Sequence, residues 1–253
     1  LKVAKVRYEQ RTYRERMRGE GMVSFQVSLK ESDLFISVDE KSFRPELPEI
    51  AFSLLRRLRR ELEAFLDVYP SFGKTLRPLK VPANSPRIVK IMAGAAWRAG
   101  VGPMAAVAGA VAELVGRGLL HFVSEVIVEN GGDIFIKTDR PRVVGIFAGT
   151  SPFSEKIGIK LSASSPYWGV CTSSGTVGPS LSFGNADAAV VVSKMAALAD
   201  AVATATGNRV RFPTDIPEAL KFACGIKGVE GAVLIHGDSL GAMGNVELVP
   251  LMT

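Results

Sequence analysis

Histidine and cysteine are nearly missing from this 253-residue chain, with two of each, and tryptophan is equally scarce. Cys171 and Cys224 lie far apart in sequence, which excludes a disulfide framework or a paired zinc motif and favours a reducing compartment. His121 and His236 have no Cys, His or Asp at metal-ligand spacing, and His236 precedes Gly237-Asp238, where a turn role is expected. Neither a G-x-S-x-G elbow, a P-loop, a zinc motif nor a G-x-G-x-x-G fingerprint occurs. Aromatic residues make up 8% and no stacking motif is interleaved with the basic residues, which argues against a nucleic-acid surface. Long apolar runs are also missing. The tract from Ala93 to Leu120 is interrupted by Arg98, Pro103, Glu113 and Arg117, so no membrane span is expected. The basic opening LKVAKVRYEQRTYRERMRG lacks an apolar stretch of its own, so it does not read as a secretory signal and a cytoplasmic location is expected.

What is present is an ample core. A hydrophobic share of 47% suits one large domain or two small lobes. The net charge of +6 is concentrated in the first eighteen residues and in Arg56, Arg57, Arg59 and Arg60. Such a run is either a solvated helix face or a surface attractive to anions. Alternating apolar positions predict a β-hairpin over Met22 to Val38, turning at Glu31-Ser32-Asp33. Ile50, Leu54, Leu58, Leu62 and Phe65 predict an amphipathic helix over Glu46 to Val68, stopped by Pro70. The Pro-rich stretch from Tyr69 to Pro86 is the best internal boundary. Helices are expected over Arg87 to Ala99 and Met104 to Leu114, the second apolar all round and therefore buried. Ser124 to Lys137 alternates on both sides of Asn130-Gly131-Gly132, a strong hairpin signal. Strands follow at Val143 to Phe147, Ile157 to Leu161, Trp168 to Thr172 and Ala188 to Val192. Helices are expected at Lys194 to Thr206 and Pro217 to Ala223, and a last hairpin pairs Ala232 to His236 with Asn245 to Val249. This order is not a βαβ alternation. It predicts an α+β layered fold with a mostly antiparallel sheet packed with helices.

Three segments could carry chemistry. Asn130-Gly131-Gly132-Asp133 is a hairpin turn, or a turn whose second glycine, more than a turn needs, lets backbone N–H groups approach a phosphate or planar ring, with Asp133 on a ligand hydroxyl or amide. Thr172-Ser173-Ser174-Gly175-Thr176 is a surface loop or a phosphate cradle. Cys171 at its edge is a small buried hydrophobe or a thiol with a lowered pKa. Asp200 and Thr204 lie four residues apart on one face of an alanine-rich helix. A buried Asp there needs a backbone donor, a Lys or Arg, or a metal ion.

Taken together, these segments resemble the ApbE family of FAD-dependent flavin transferases, over roughly Gly100 to Val249. GVGPMAAVAGAVAELV is similar to the family's Gly-rich helix start. VENGGDIFI is similar to its Asn-x-Gly-Gly-Asp/Asn hairpin. CTSSG followed by DAVAT, Asp200 to Thr204, is similar to its Thr-Ser-Gly loop and Asp-Ala-x-x-Thr helix, the most specific of the three. YEQRTYRERM resembles an ApbE-like branch found in archaea and anaerobic bacteria. The resemblance implies a single ApbE-like domain over 1–253, with a hairpin-plus-helix lobe over 1–80 and a core carrying the site over 81–253. It implies FAD and Mg2+ as cofactors. Asp200 and Thr204 would be catalytic metal ligands, joined by a backbone carbonyl at Met104 or Ala105. Asn130, Gly131, Gly132, Asp133, Thr172, Ser173, Ser174 and Gly175 would line the flavin and its phosphates. The implied partners are a flavin nucleotide and an acceptor protein whose hydroxyl takes FMN; a homodimer is also expected.

Two departures stand out. Where transferases of the family carry His-Ile-Ile-Asp-Pro, this chain reads Leu181-Ser182-Phe183-Gly184-Asn185-Ala186-Asp187, with no histidine. The family's Ala-Lys-Gly after the Gly-rich tract has lost its lysine. The expectation is therefore either FMN transfer or FAD hydrolysis, or a binding or accessory protein that reuses the pocket in sulfur or redox metabolism, with Cys171 at its edge.

Overall fold

The structure, a computed structural model, describes residues 21–163, 165–176 and 183–251. The N-terminal YEQRTYRERM and its basic arm, and Leu181-Ser182 of the segment lacking the family histidine, lie outside the described residues.

Eleven described strands form two antiparallel sheets. The first hairpin joins β1 (Met22–Leu29) and β2 (Ser32–Asp39). The second joins β3 (Val126–Asn130) and β4 (Asp133–Lys137). With β7 (Trp168–Ser173), β8 (Ala188–Ser193), β9 (Val229–His236) and β10 (Ser239–Gly244) they make an eight-stranded sheet ordered β1-β2-β3-β4-β7-β8-β9-β10. A smaller sheet is ordered β11-β6-β5, from β5 (Arg142–Gly145), β6 (Ile157–Leu161) and β11 (Glu247–Pro250). The fold is α+β with helices against the larger sheet, as the element order predicts.

The last hairpin is a correction. Ala232 to His236 does not pair with Asn245 to Val249. Its partner is β10, which reads as a loop in the sequence, and β11 crosses to β6 in the smaller sheet. Leu240 and Met243 are too few among glycines to show a period of two, so β10 has no pattern of its own to read.

The central strands are apolar on both faces because both faces are covered. On β4, β8 and β9, Phe135, Ala189, Val191, Ala232 and Leu234 face the helices. Ile134, Ile136, Val190, Val192, Val233 and Ile235 face a second core under the small sheet, with Ile159 and Leu161. Alternation of side chains between faces assigns each residue to its core.

The helical layer consists of α1 (Leu47–Val68), the short α2 (Pro70–Lys74), α3 (Arg87–Ala99), α4 (Val107–Leu119), α5 (Ala196–Gly207) and α6 (Ile216–Cys224). On α1 the buried stripe is Leu47, Ala51, Leu55, Leu58, Leu62 and Phe65, displaced by part of a turn from the expected one at its N-terminal end. Gly100 closes α3 with φ 73°, the left-handed stop that glycine permits. A 3-10 turn over Pro103–Ala106 precedes α4, which runs five residues beyond its expected end. Gly116 does not stop it because the helix needs a glycine there: a Cβ would lie 2.3 Å from the Phe135 ring. Among the described residues no single helix is long and apolar enough to cross a membrane.

Candidate functional site

Two of the three candidate segments meet at the first turn of α4. This helix has no side-chain cap of its own: its N-cap is Ala106. Asp200 of α5 serves instead, with Oδ2 accepting the Gly109 N–H at 2.8 Å. The Ala108 N–H also favours the ionised carboxylate. A carboxylate at a helix N-terminus is stabilised by the exposed N–H groups and by the helix dipole. From the other side, Asn130 Nδ2 donates to the Ala108 carbonyl at 3.2 Å. One turn of backbone thus ties the β3–β4 hairpin to α5. The approach is close enough to require glycine, since a Cβ on Gly109 would lie 2.4 Å from the Ala196 carbonyl oxygen and 2.8 Å from Asp200 Cβ.

Asp133 faces the same helical layer. It is paired across the hairpin with Asn130 and across the next ladder with Cys171. Two residues on, Phe135 packs under Gly116 of α4. Asp133 is 8% exposed, and its Oδ1 has no hydrogen-bond partner. Burial first, and then the charge of Asp200, push its carboxyl well above the usual carboxylate range. Asp200 is 9% exposed. Burial raises its pKa to about 7 despite the Gly109 and Ala108 N–H groups. Among the described residues neither carboxylate forms an ion pair with Lys, Arg or His.

The β3–β4 turn corrects one expectation. Gly131 and Gly132 have φ 70° and 100°, so the two-residue turn uses both glycines and neither is surplus to it. The Gly132 N–H is engaged by Glu129 Oε1 at 2.9 Å.

The hydroxyl loop folds back over the C-terminal end of α5. Thr172 and Ser173 complete β7, opposite Val190 and Ala189. The Gly175 N–H donates to the Ala186 carbonyl at 2.8 Å. Thr176 Oγ1 donates to Asp187 Oδ1 at 2.8 Å, while Asp187 Oδ2 accepts the Gly237 N–H at 2.6 Å. Three glycines stack where this loop meets α5. A Cβ on Gly175 would lie 2.0 Å from the Gly184 carbonyl oxygen, and one on Gly184 would lie 1.9 Å from that of Gly207. Thr204 lies one turn beyond Asp200 and is half-buried, as is Ala105 on the turn leading into α4. The structure therefore brings Asn130, Asp133 and Asp200 together at α4, with Thr204 and the Thr172–Gly175 loop further along α5.

Cys171 is not at a pocket edge. It is fully buried, its thiol donates to the Ala196 carbonyl at 3.3 Å, and burial together with the Asp133 charge pushes its pKa well up. Of the two readings of Cys171, the buried hydrophobe holds and the reactive thiol does not, because β7 turns Cys171 into the helical core. The arginine run divides. Arg59 is tied to Ser32, Glu31 and Glu63, while Arg56, Arg57 and Arg60 line a shallow groove on the outer face of α1 with Ser53 and Glu61.

Sequence reading missed Gly109, Gly184 and Asp187 as builders of this site. A glycine inside a helix costs stability relative to alanine, so Gly109 within AAVAGAV was a signal of close packing. Asp187 left no signal, since its partners lie 11 and 50 residues away.

The donor set suits a hard divalent cation. Among the described residues no group of three or more His, Cys, Asp or Glu side chains could hold a metal ion. Carboxylates, hydroxyls and carbonyls are nevertheless what Mg2+ takes, with water or phosphate completing its shell. The orphaned Asp133 Oδ1 beside Asp200, with no protein cation to neutralise either, fits such an ion.

A family model described as AbpE bacteria matches residues 14–239. A UPF0280 protein from Methanococcus aeolicus is 41% identical over 231 residues, covering 89% of this chain and 91% of that protein. A UPF0280 protein from Methanocella arvoryzae is 44% identical over 198 residues, covering 78% and 80%. In backbone the chain is similar to the ApbE protein of Thermotoga maritima, with a TM-score of 0.54 at 13% identity, over 87% of this chain and 96% of that one. It is also similar to a histidine-to-glycine variant of the flavin transferase ApbE from Vibrio cholerae, with a TM-score of 0.50 at 14% identity, over 88% and 96%. At such identities the likeness is one of fold.

Proposed function

The chain belongs to the AbpE bacteria family, and on that premise we propose that it binds FAD through Mg2+ and cleaves the pyrophosphate, releasing AMP. The observation that carries this reading is the meeting of Asn130 and Asp200 at the first turn of α4, with the buried Asp133 close enough to Asp200 for their charges to interact. Asp200, Thr204 and a backbone carbonyl at Met104 or Ala105 would hold the cation. Asn130 to Asp133 and Thr172 to Gly175 would line the nucleotide. The cation, when bound, would neutralise charge on the pyrophosphate. The chain's own part is to fix the site in place: Asn130 and Asp200 clamp the start of α4 from opposite sides, and Asp187 anchors the hydroxyl loop. In the reaction an acceptor oxygen forms a bond to the flavin-side phosphorus, the bond to AMP breaks, and the acceptor's proton is lost to solvent. The acceptor is a protein hydroxyl, giving FMN transfer, or water, giving hydrolysis. The fold shared with a flavin transferase supports this chemistry.

A second reading, a binding protein that keeps the nucleotide intact, is favoured by one observation. Phe183 to Asp187, in the place of the family's histidine segment, supplies no imidazole. The two separate in one experiment, in which ligand-free protein is titrated with FAD, with and without Mg2+, while flavin fluorescence and AMP release are followed. Mg2+-dependent binding with AMP is the expected result. Binding without AMP, even with hydroxyl acceptors supplied, selects the second reading. Absence of FAD binding defeats both.

A further inference from the structure

Beyond the three ligands named above, the site holds a carboxylate so far assigned only to the nucleotide lining. Asp133 is more than nine-tenths buried on β4, and its Oδ1 has neither a hydrogen bond nor contact with solvent. Strand alternation aims it at the helical layer, on the side where Asn130 reaches Ala108 and Phe135 reaches Gly116. Its ladder partner Cys171 donates to Ala196, the first residue of α5, one turn before Asp200. Two buried carboxylates, one from a strand and one from a helix, therefore lie near enough for the charge of Asp200 to act on Asp133. The Cys171 thiol and the Thr172 N–H favour the ionised Asp133, but Oδ1 is left unpaired, and burying two carboxylates near one another adds their repulsion. A flavin ring or a phosphate would not relieve this, since neither brings positive charge.

We infer that Asp133 is a second carboxylate ligand of the cation site proposed above, so that this chain grips its cation with two carboxylates before any nucleotide arrives. The inference rests on the cation site of the proposed function but assigns a residue and an order of binding that the reading itself does not. Two carboxylates neutralise a divalent ion without help from a pyrophosphate. Nucleotide then meets a loaded site and contributes oxygens that replace water.

The test uses the nucleotide-free chain and Mn2+ as the probe, with free Mn2+ read by electron paramagnetic resonance. Thermal unfolding in chelator serves as the control for folding. Wild type, D133N and D200N are compared. Wild type binds one Mn2+, and D133N binds it roughly 10–100-fold more weakly, as removal of a group supporting a metal typically does, while melting no lower in chelator. Where D133N does not fold, D133S, smaller and neutral, is read the same way. D133N affinity within threefold of wild type, with D200N impaired, overturns the inference and leaves the Asp200 site standing. A D133N protein that binds weakly but also melts well below wild type in chelator overturns it in favour of a structural role. A wild type that binds no Mn2+, or a D200N protein that binds as tightly as wild type, defeats the cation site itself.

Discussion

Replacing Gly109 with alanine tests the packing on which the site depends. In an ordinary helix interior, glycine to alanine gains about 1 kcal/mol, because alanine loses less backbone freedom on folding. Gly94 on α3 is such a position, where a Cβ would meet no atom within 4 Å. At Gly109 the new methyl would lie 2.4 Å from the Ala196 carbonyl oxygen and 2.8 Å from Asp200 Cβ. The first is backbone and cannot swing aside, so α4 and α5 must separate. Overpacking of this kind costs roughly 1–3 kcal/mol. Separation also stretches the 2.8 Å bond from the Gly109 N–H to Asp200, and a hydrogen bond to a charged group contributes about 1.5–3 kcal/mol. Set against the propensity gain, the net loss is about 1.5–5 kcal/mol, or roughly 3–20 °C in melting temperature for a domain of this size. Gly94→Ala should instead melt level with the parent or a few degrees above it. Both variants are read by urea titration and by thermal unfolding. A Gly109→Ala protein as stable as Gly94→Ala would refute the close approach of α4 to Asp200.

Other consequences follow from the buried charges. Asp200 has a folded pKa raised to about 7. The folded state of the metal-free protein therefore holds more protons than the unfolded chain between about pH 4 and pH 7, and stability should fall as pH rises through that window. Asp200→Asn, which keeps an acceptor for the Gly109 N–H, should flatten much of this slope; a wild-type melting temperature that is constant over this range in chelator would contradict it. Asp39 behaves oppositely. Burial raises its carboxyl, but hydrogen bonds from Ser42, Glu125 and Ser124 outweigh this and hold it below its ordinary value. Its contribution is present above the ordinary carboxylate range and is lost as pH falls through its depressed pKa. Asp39→Ala should cost about 1–3 kcal/mol at pH 7, measured by urea unfolding, by leaving the Ser124 and Glu125 N–H groups unpaired. Cys171 should resist iodoacetamide at pH 8 until denaturant is added, and rapid native alkylation would show that β7 is not packed as described.

Period and turn chemistry in the sequence by themselves determined most of the elements. Val128 and Phe135 alternate around two glycines that must take positive φ, and only a hairpin satisfies both demands. Leu58, Leu62 and Phe65 recur at helical spacing, and Gly100 stops α3 because it tolerates the left-handed region. These are local constraints, written within a few residues of the place where they act. The order of elements also excluded a doubly wound sheet. What only the tertiary structure decided is pairing at a distance and the use made of polar groups. β10 became a strand because β9 offered it an edge, and β11 left for β6, neither of which its own residues could announce. Asp200 could equally have met an arginine, a metal ion or a backbone. It became the cap of α4, 91 residues away, because Gly109 lets the two helices approach. Cys171 reads as core more readily than as a nucleophile, but only the strand's facing direction decides between them. Burial and partnership of a side chain are properties of the packed chain, set by contacts that sequence spacing does not encode.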